Sequence, residues 1–298
     1  MDAKLQRLIQ RRGWDLAASD YEKSWSRQLQ PSTDKLLAFA DVKPGESVIE
    51  TASGTGLITL VVAEQARNGR VLATDISKKM LLQLEAAADA AGLTSIETAA
   101  CSAEALATEE QFDVAVCALG LMYMPEPWQA IAELHRTLRP GGRVALSVWG
   151  ERRNCGWASL FGIVDARVSS DVCPMFFALG APTALTESMA EQGFVDIIEE
   201  RIRVTLRFPT EAAALSAAFV GGPVALAYAR FDGATKASAH AEYLDSIAQY
   251  RTGNGYLVPG EFVIAAGRKP GGRDQESSAH RSGQSADLKF KQHNRREN

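Results

Sequence analysis

The sequence predicts an α/β fold, a mostly parallel sheet with helices on both faces, organised around a nucleoside-binding βαβ unit. Three observations carry this. Strand-like and helix-like stretches alternate from about residue 33 onward. The run Val48-Ile49-Glu50-Thr51 passes directly into a glycine-rich turn, Ala52-Ser53-Gly54-Thr55-Gly56, where the glycines let a ligand approach the backbone. A second acid, Asp75, closes another apolar run nineteen positions past Gly56, the spacing at which a carboxylate accepts a pair of ribose hydroxyls.

Along the chain, Trp14, Tyr21 and Trp25 fall at helical offsets and predict an amphipathic helix docked on the core. Strands are expected near 47–51, 70–75, 95–100, 112–117 and 142–149, with helices at 56–67, 77–91 and 126–138 between them. Ser77 opens the middle helix and Gly92 closes it, and Pro140-Gly141-Gly142 ends the third. After Trp149 the alternation loosens, and 155–181 carries aromatics without a period, which reads as a cap insertion. Regular structure resumes with a helix at 183–192, a strand at 196–207 and a last strand at 261–267. The roughly fifty residues between those two strands are too many for a structureless loop, so Ala-rich helices are expected near 210–219 and 223–250. The expected layout is one domain over 1–269, with cap segments at about 150–181 and 208–259. Residues 270–298 hold so few aliphatic side chains that burial cannot offset ordering entropy, and they read as a disordered tail.

Composition excludes several function classes. With 298 residues, 46% of them hydrophobic, the chain can bury a substantial core. A net charge of -4 argues against a nucleic-acid groove. The absence of a long apolar stretch or a signal-like N-terminus predicts no membrane span and a cytoplasmic location. Cys101, Cys117, Cys155 and Cys173 form no C-x-x-C pair, so no metal site or disulfide framework is expected.

The ligand class turns on two residues. A dinucleotide turn needs a third glycine where this chain has Thr59, and Glu50 would set a negative charge beside the pyrophosphate. A cationic ligand fits better. The spacing E-x-x-x-G-x-G followed by Asp75, together with Phe112-Asp113-Val114 and Leu138-Arg139-Pro140-Gly141-Gly142, resembles the class I S-adenosylmethionine (SAM) dependent methyltransferases, in particular the UbiE/COQ5-like branch that acts on small molecules. The resemblance spans about residues 14–269. It implies a Rossmann-like, seven-stranded sheet with a helical cap insertion, SAM as cofactor and a small-molecule methyl acceptor as partner.

It also implies a set of cofactor-binding residues. Glu50, Ala52, Ser53, Gly54 and Gly56 would line the methionyl part, Glu50 meeting the ammonium directly or through water. Asp75 would take the ribose, with Ile76 and Met80 against the adenine faces; the plainer reading of Asp75 is a cap for the helix beginning at Ser77. Ser102 and the Ala103 backbone would meet the adenine edge, with Glu104 a helix-start carboxylate. Ala118 and Leu119, in the apolar stretch after the fourth strand, would line the methionyl channel, and Tyr21 would close over the cofactor.

A hydroxyl acceptor would add the need for a general base, and none can be assigned. His135 reads as a solvated position on an outer helix, His280 and His293 fall in the tail, and nothing aims His240 at the site. Cys155 and Cys173 in the cap raise a thiol-type acceptor chemistry, against which buried structural thiols are the commoner role. The reading is therefore a SAM-dependent methyltransferase (EC 2.1.1.-) of a small apolar or aromatic molecule. The alternatives are a non-catalytic SAM-binding sensor or scaffold and an NAD-dependent oxidoreductase. Oligomeric state is not readable.

Overall fold

The computed structural model describes residues 2–168, 173 and 175–271; the expected tail, with His280 and His293, lies outside these from residue 272 on. The elements in chain order are α1 (Ala3–Ala40), β1 (Ser47–Thr51), α2 (Thr59–Gln65), β2 (Arg70–Asp75), α3 (Lys78–Ala91), β3 (Ile96–Ala100), β4 (Phe112–Ala118), α4 (Pro127–Thr137) and β5 (Leu138–Trp149). The second half holds α5 (Ser159–Asp165), α6 (Ala184–Glu191), β6 (Val195–Phe208), α7 (Glu211–Phe219), α8 (Ala225–Tyr228), α9 (Gly233–Ser246), β7 (Arg251–Thr252) and β8 (Gly255–Arg268).

Seven strands form one hydrogen-bonded path, β3-β2-β1-β4-β5-β8-β6, and the two-residue β7 pairs with β8 beside it. The strands from β3 to β5 are parallel, and β8 runs antiparallel to both β5 and β6. Helices cover both faces, so the central strands are apolar along their length: Val48, Ile49, Val114, Ala115, Val116, Val144, Ala145 and Leu146 are fully buried. Strand order reverses between β1 and β4. In open parallel sheets that switch point leaves a crevice beyond the carboxyl ends of the strands, and the loops after β1, β2, β3 and β4 converge there.

Several boundaries differ from expectation for identifiable reasons. Helix α2 begins at Thr59 rather than 56 because Gly56 has φ +96°, outside the helical region. Strand β5 begins at Leu138, which pairs with Phe112 ahead of a register shift, so Pro140-Gly141-Gly142 lies within an irregular strand. Strand β8 starts at Gly255, six residues early, paired with the full length of β6. The expected helix at 223–250 is divided, because Asp232 accepts from Thr235 N–H at 2.7 Å and starts α9 afresh.

The N-terminal helix exceeds expectation most. Residues Ala3–Ala40 form one helix of 38 residues with Pro31 inside it, although an interior proline removes a backbone donor. Tertiary burial offsets that loss on both sides of the proline: Gln28, Leu29, Ser32, Leu36 and Ala40 are buried. Gln28 exchanges hydrogen bonds with the backbone of Arg207 on β6 at 2.6 and 2.8 Å. At the far end the Arg143 guanidinium donates to the carbonyls of Ala40 and Asp41 and pairs with Glu46. Helix α1 is thereby strapped across the sheet.

Helix α3 behaves as its sequence reads. Ser77 caps it by accepting from Met80 N–H, Gly92 closes it at φ 68°, and Met80, Leu81, Leu84 and Ala88 are buried on one face. Leu84 is fully buried beneath Gly56, where a β-carbon would come within 2.9 Å of its Cγ. Leu84→Ala should cost about 2–5 kcal/mol of stability, measured as a lowered urea midpoint. A midpoint unchanged by the substitution would mean that α3 does not support the turn.

Candidate functional site

The turn after β1 is built to expose its backbone. Ala52 (φ 53°), Gly54 (φ 57°) and Gly56 (φ 96°) are left-handed, a conformation disfavoured for Ala and found where tertiary structure over-determines it. Leu119, in the loop after β4, is likewise left-handed at φ 54°. The two loops touch through Gly120, where a β-carbon would meet Ala52 Cβ at 2.4 Å. Gly120 is a requirement of the site that the sequence reading passed over.

Glu50 is 1% exposed and accepts from Thr59 Oγ at 2.7 Å. Burial holds its carboxyl up at about 8, with the Thr59 hydrogen bond pulling against that and the nearby Asp75 charge adding to it. The residue that breaks the dinucleotide pattern thus has a positive use, since Thr59 orients the acid. A small cavity surrounds it, lined among others by Ser32, Ser53, Thr55 and Ser147. Each of these four hydroxyls is buried without a hydrogen-bond partner among the described residues. Buried hydroxyls left unpaired are costly. Their concentration around an acid makes this the polar end of the site.

Asp75 is 7% exposed, and its two oxygens accept from the backbone N–H groups of Gly54 (2.9 Å) and Ser77 (2.7 Å). Burial raises its carboxyl to about 6 against those two donors. The helix cap is Ser77, not Asp75. Asp75 instead faces a larger cavity, where each oxygen retains lone-pair capacity. Ile76, Met80, Ser102 and Ala103 line the same end. Glu104 does not start a helix of its own, as expected, but accepts from the N–H of Glu126, the residue that opens α4 (2.8 Å). It also pairs with Arg7 at 2.5 Å and accepts from Ser102 Oγ at 3.1 Å.

The larger cavity encloses about 1080 Å³ of empty space, part of it open to solvent, at the upper end of the ~300–1,000 Å³ usual for ligand sites. Both cavities are walled by Tyr21, Leu29, Ala52, Gly54, Ala118 and Leu119, so they adjoin at those residues. Beyond that junction the wall is aromatic. Trp149 and Trp157 lie 4.8 Å apart, Trp157 and Phe176 5.6 Å, and Tyr123 and Phe176 5.4 Å. Ala217, Ala218, Gly222 and Pro223, from α7 and the segment after it, close the far side.

Helix α1 roofs the whole crevice. Arg7 reaches Glu104 and Glu126, Asp15 accepts from Ser77 Oγ at 2.6 Å, and Trp25 packs on Trp149 and Trp157. Tyr21, expected as a lid, lines both cavities, and its hydroxyl is held protonated by burial and by the Asp75 charge. Of the expected cofactor residues, Tyr21, Ala52, Gly54, Asp75, Ile76, Met80, Ser102, Ala103, Ala118 and Leu119 line the larger cavity, and Glu50 and Ser53 the smaller one; Gly56 supports the turn from behind.

The remaining titratable groups stand apart. His135 is half-buried, edge-on to Phe194 at 4.9 Å with burial lowering its pKa, so it is not the solvated position expected. His240 bonds the Tyr228 hydroxyl at 2.9 Å outside the cavity lining. Cys155 contacts the Glu261 carbonyl and Cys173 accepts from Gln10, and burial pushes both thiols up to about 12, which makes them poor nucleophiles. Among the described residues there is no cluster fit to hold a metal ion and no helix long and apolar enough to cross a membrane.

Comparison with known proteins bears on the fold and on the segment from β1 to β5. Residues 48–142 match the family model described as a methyltransferase domain. The chain is 40% identical over 111 residues to the ubiquinone/menaquinone biosynthesis C-methyltransferase UbiE of Ralstonia pickettii, covering 36% of this chain and 45% of that one. An uncharacterized protein of Mycobacterium tuberculosis is 32% identical over 134 residues, covering 45% and 48% of the two chains. The chain thus spans about half the length of the curated relatives it matches. Among solved structures, phosphoethanolamine N-methyltransferase 2 of Haemonchus contortus, bound to phosphomonomethylethanolamine and S-adenosylhomocysteine, superposes with a TM-score of 0.59 at 18% identity, covering 89% of this chain and 60% of that one. The [4+2]-cyclase SpnF superposes at 0.54 and 21% identity, covering 84% of each. Similarity at this level shows the fold, and a fold does not select a reaction.

The buried acid predicts a pH-dependent stability. The folded protein keeps Glu50 protonated up to about 8, against an ordinary value of 4.5, so between those values the native state binds more protons than the unfolded chain. Ligand-free stability should therefore fall as pH rises through that window. Glu50→Gln should flatten the slope and melt several degrees above wild type at pH 8, with little difference near pH 4.5. Parallel melting curves for both proteins at pH 8 would show that the charge is already compensated.

Proposed function

We propose that this chain, a class I SAM-dependent methyltransferase of the UbiE-like kind, transfers a methyl group to a small apolar or aromatic molecule by direct displacement. The observation that carries this reading is the junction of two unlike cavities, one polar around Glu50 and one aromatic beyond Leu119. The residues present fit the cofactor. Glu50 with the unpartnered hydroxyls of Ser32, Ser53, Thr55 and Ser147 suits an amino-acid head, which carries an ammonium and a carboxylate. Asp75 suits a ribose, Ile76 and Met80 the two faces of a base, and Ser102, whose hydroxyl proton is committed to Glu104, keeps a lone pair for an exocyclic amine.

Bound SAM supplies an electrophilic methyl group on a sulfonium. The chain's own residues do the rest by placement. Tyr21, Ala52, Ala118 and Leu119 form the neck between the cavities, so an acceptor in the aromatic half meets the methyl group only through that neck. Helix α1 and the cap helices wall the crevice on the side away from its solvent opening, which favours an aligned displacement. Among the described residues no histidine lines the aromatic half, and the carboxylates in the walls, Asp75 and Glu104, are already hydrogen-bonded. Alignment, rather than general-base catalysis, is the contribution these residues can make. The nicotinamide alternative draws no support, because Glu50 and its Thr59 partner occupy the place a pyrophosphate would need.

Two measurements test the reading. Asp75→Ala should abolish SAM binding by calorimetry while leaving a cooperative melt, and so should Gly54→Arg, whose side chain would project into open cavity; wild-type affinity in either variant would overturn the site. Because the ammonium favours ionised Glu50, SAM affinity should rise between pH 6 and 8, with proton release detected at pH 7 as a buffer-dependent binding enthalpy. The reaction itself is tested by incubating the protein with methyl-labelled SAM and a panel of uncharged aromatic and aliphatic acceptors, then identifying labelled product by mass. Absence of transfer to every member, with SAM bound, would refute the proposed acceptor class.

A further inference from the structure

Two short connecting segments supply most of the aromatic wall of the larger cavity. Trp149 and Trp157 stand at the two ends of residues 150–156, and Phe176 lies in the segment that runs to Gly180 and Ala181. Both segments are fastened from behind by one buried carboxylate. Glu261, on β8, is 4% exposed and lines neither cavity. Its Oε2 accepts from Glu151 N–H at 3.0 Å and from Asn154 Nδ2 at 3.0 Å, and lies 3.5 Å from Arg201 Nη1. Its backbone carbonyl accepts from Gly150 N–H at 2.6 Å. The residues between the two tryptophans thus fold over a single side chain.

Arg201, on β6, carries the connection on to the second segment. Its Nη1 donates to the Gly180 carbonyl at 2.9 Å, its Nη2 to the Ala181 carbonyl at 2.8 Å, and its Nε pairs with Glu199 at 3.1 Å. A planar guanidinium fork can serve two carbonyls and an acid at once, which a lysine cannot. The segments also press directly on each other. A β-carbon on Gly180 would come within 2.3 Å of the carbonyl oxygens of Trp149 and Gly150, and one on Gly150 within 2.2 Å of Glu261 Oε2. Backbone packed on backbone leaves little room for either segment to shift. The contacts of Trp157 with Trp149 at 4.8 Å and with Phe176 at 5.6 Å therefore join segments held by one ion pair outside the cavity.

We propose that Glu261 and Arg201 are positioning residues for methyl transfer: without touching the cavity, they set the spacing of Trp149, Trp157 and Phe176 and so fix the width of its acceptor half. This rests on the assignment of the aromatic cavity to the acceptor, and it places control of that half in groups outside its lining. Rings displaced by a fraction of an ångström would cost acceptor alignment. Cofactor binding, at Glu50 and Asp75, would be spared, because the hydrogen bonds of Glu261 and Arg201 fall on the aromatic side.

The test uses the full chain saturated with S-adenosylhomocysteine and titrated with N-phenyl-1-naphthylamine, an uncharged dye that brightens in apolar surroundings. Near-ultraviolet circular dichroism reports the packing of the tryptophans. Glu261→Ala should lower dye affinity about tenfold and weaken the near-ultraviolet signal, with S-adenosylhomocysteine affinity unchanged. Glu261→Gln, whose amide oxygen can stand where Oε2 does, should recover affinity to within about threefold of wild type. Gly180→Ala, which keeps the ion pair but forces the segments apart, should reproduce the loss. Arg201 retains Glu199 in the Glu261 variants, so no cation is stranded and the chain should fold. If Glu261→Ala nevertheless fails to hold S-adenosylhomocysteine, Asn154→Ala, which removes one donor, takes its place with an expected loss of about threefold. Leu134→Ala, a core substitution that lines neither cavity, lowers the melting temperature alone and should bind the dye as wild type does. Unchanged dye affinity in Glu261→Ala, or an equal loss in Leu134→Ala, overturns the proposal while the methyltransferase reading stands. Wild type that binds S-adenosylhomocysteine but not the dye overturns the acceptor assignment and this proposal with it. Failure of wild type to bind S-adenosylhomocysteine would refute the methyltransferase reading itself.

Discussion

Two carboxylates held out of water at the ends of adjacent parallel strands organise this molecule. Glu50 closes in on the end of β1 and Asp75 is the last residue of β2, and both are more than nine-tenths buried. Burial raises both pKa values, so each requires compensating donors from its surroundings. Those donors explain much of the local architecture. Thr59 starts α2 and serves Glu50; Gly54 must expose its N–H in a left-handed turn to serve Asp75; Ser77 serves Asp75 through its backbone while capping α3 with its side chain. A site kept in this state is built for a partner carrying positive charge at one end and hydroxyls at the other.

The long N-terminal helix makes the burial possible. Without α1 the carboxyl ends of β1 and β2 would open to solvent. Its contacts run in order from the Asp75 end of the crevice, through Arg7 and Asp15, to the aromatic end, through Trp25, and then down to the foot of β5 at Arg143. One element therefore walls both cavities. It also explains why a helix persists through Pro31, since packing on the sheet outweighs one missing hydrogen bond.

The same scaffold occurs in a phosphoethanolamine N-methyltransferase and in a [4+2]-cyclase, so the reaction must be argued from the lining and not from the sheet. In this chain the lining beyond Leu119 is aromatic and carries almost no free charge. The uncharged acceptor proposed for this chain is argued from that lining.

The parallel core was legible in the sequence because its signals are local. Alternation of strand and helix, the Ser77 cap, the Gly92 stop and the glycine turn each act within a few residues of where they are read, and Glu50 and Asp75 fall at strand ends for the same reason. What stayed hidden depends on contacts between distant segments. Ser32 and Ser147 are ordinary serines in the sequence and become part of one polar cavity only when α1 crosses β5; Gly120 is an ordinary glycine until it meets Ala52; Glu104 reads as a helix start and is instead the buried partner of Arg7. His135, on an outer helix by its spacing, is drawn against Phe194 by the return of the chain into β6. The sequence alone determined the class of fold and the two acids at the strand ends, because backbone preference and strand periodicity are short-range. Only the tertiary structure decided how those acids are buried and which residues wall the two cavities, because desolvation and packing depend on which distant segments come together.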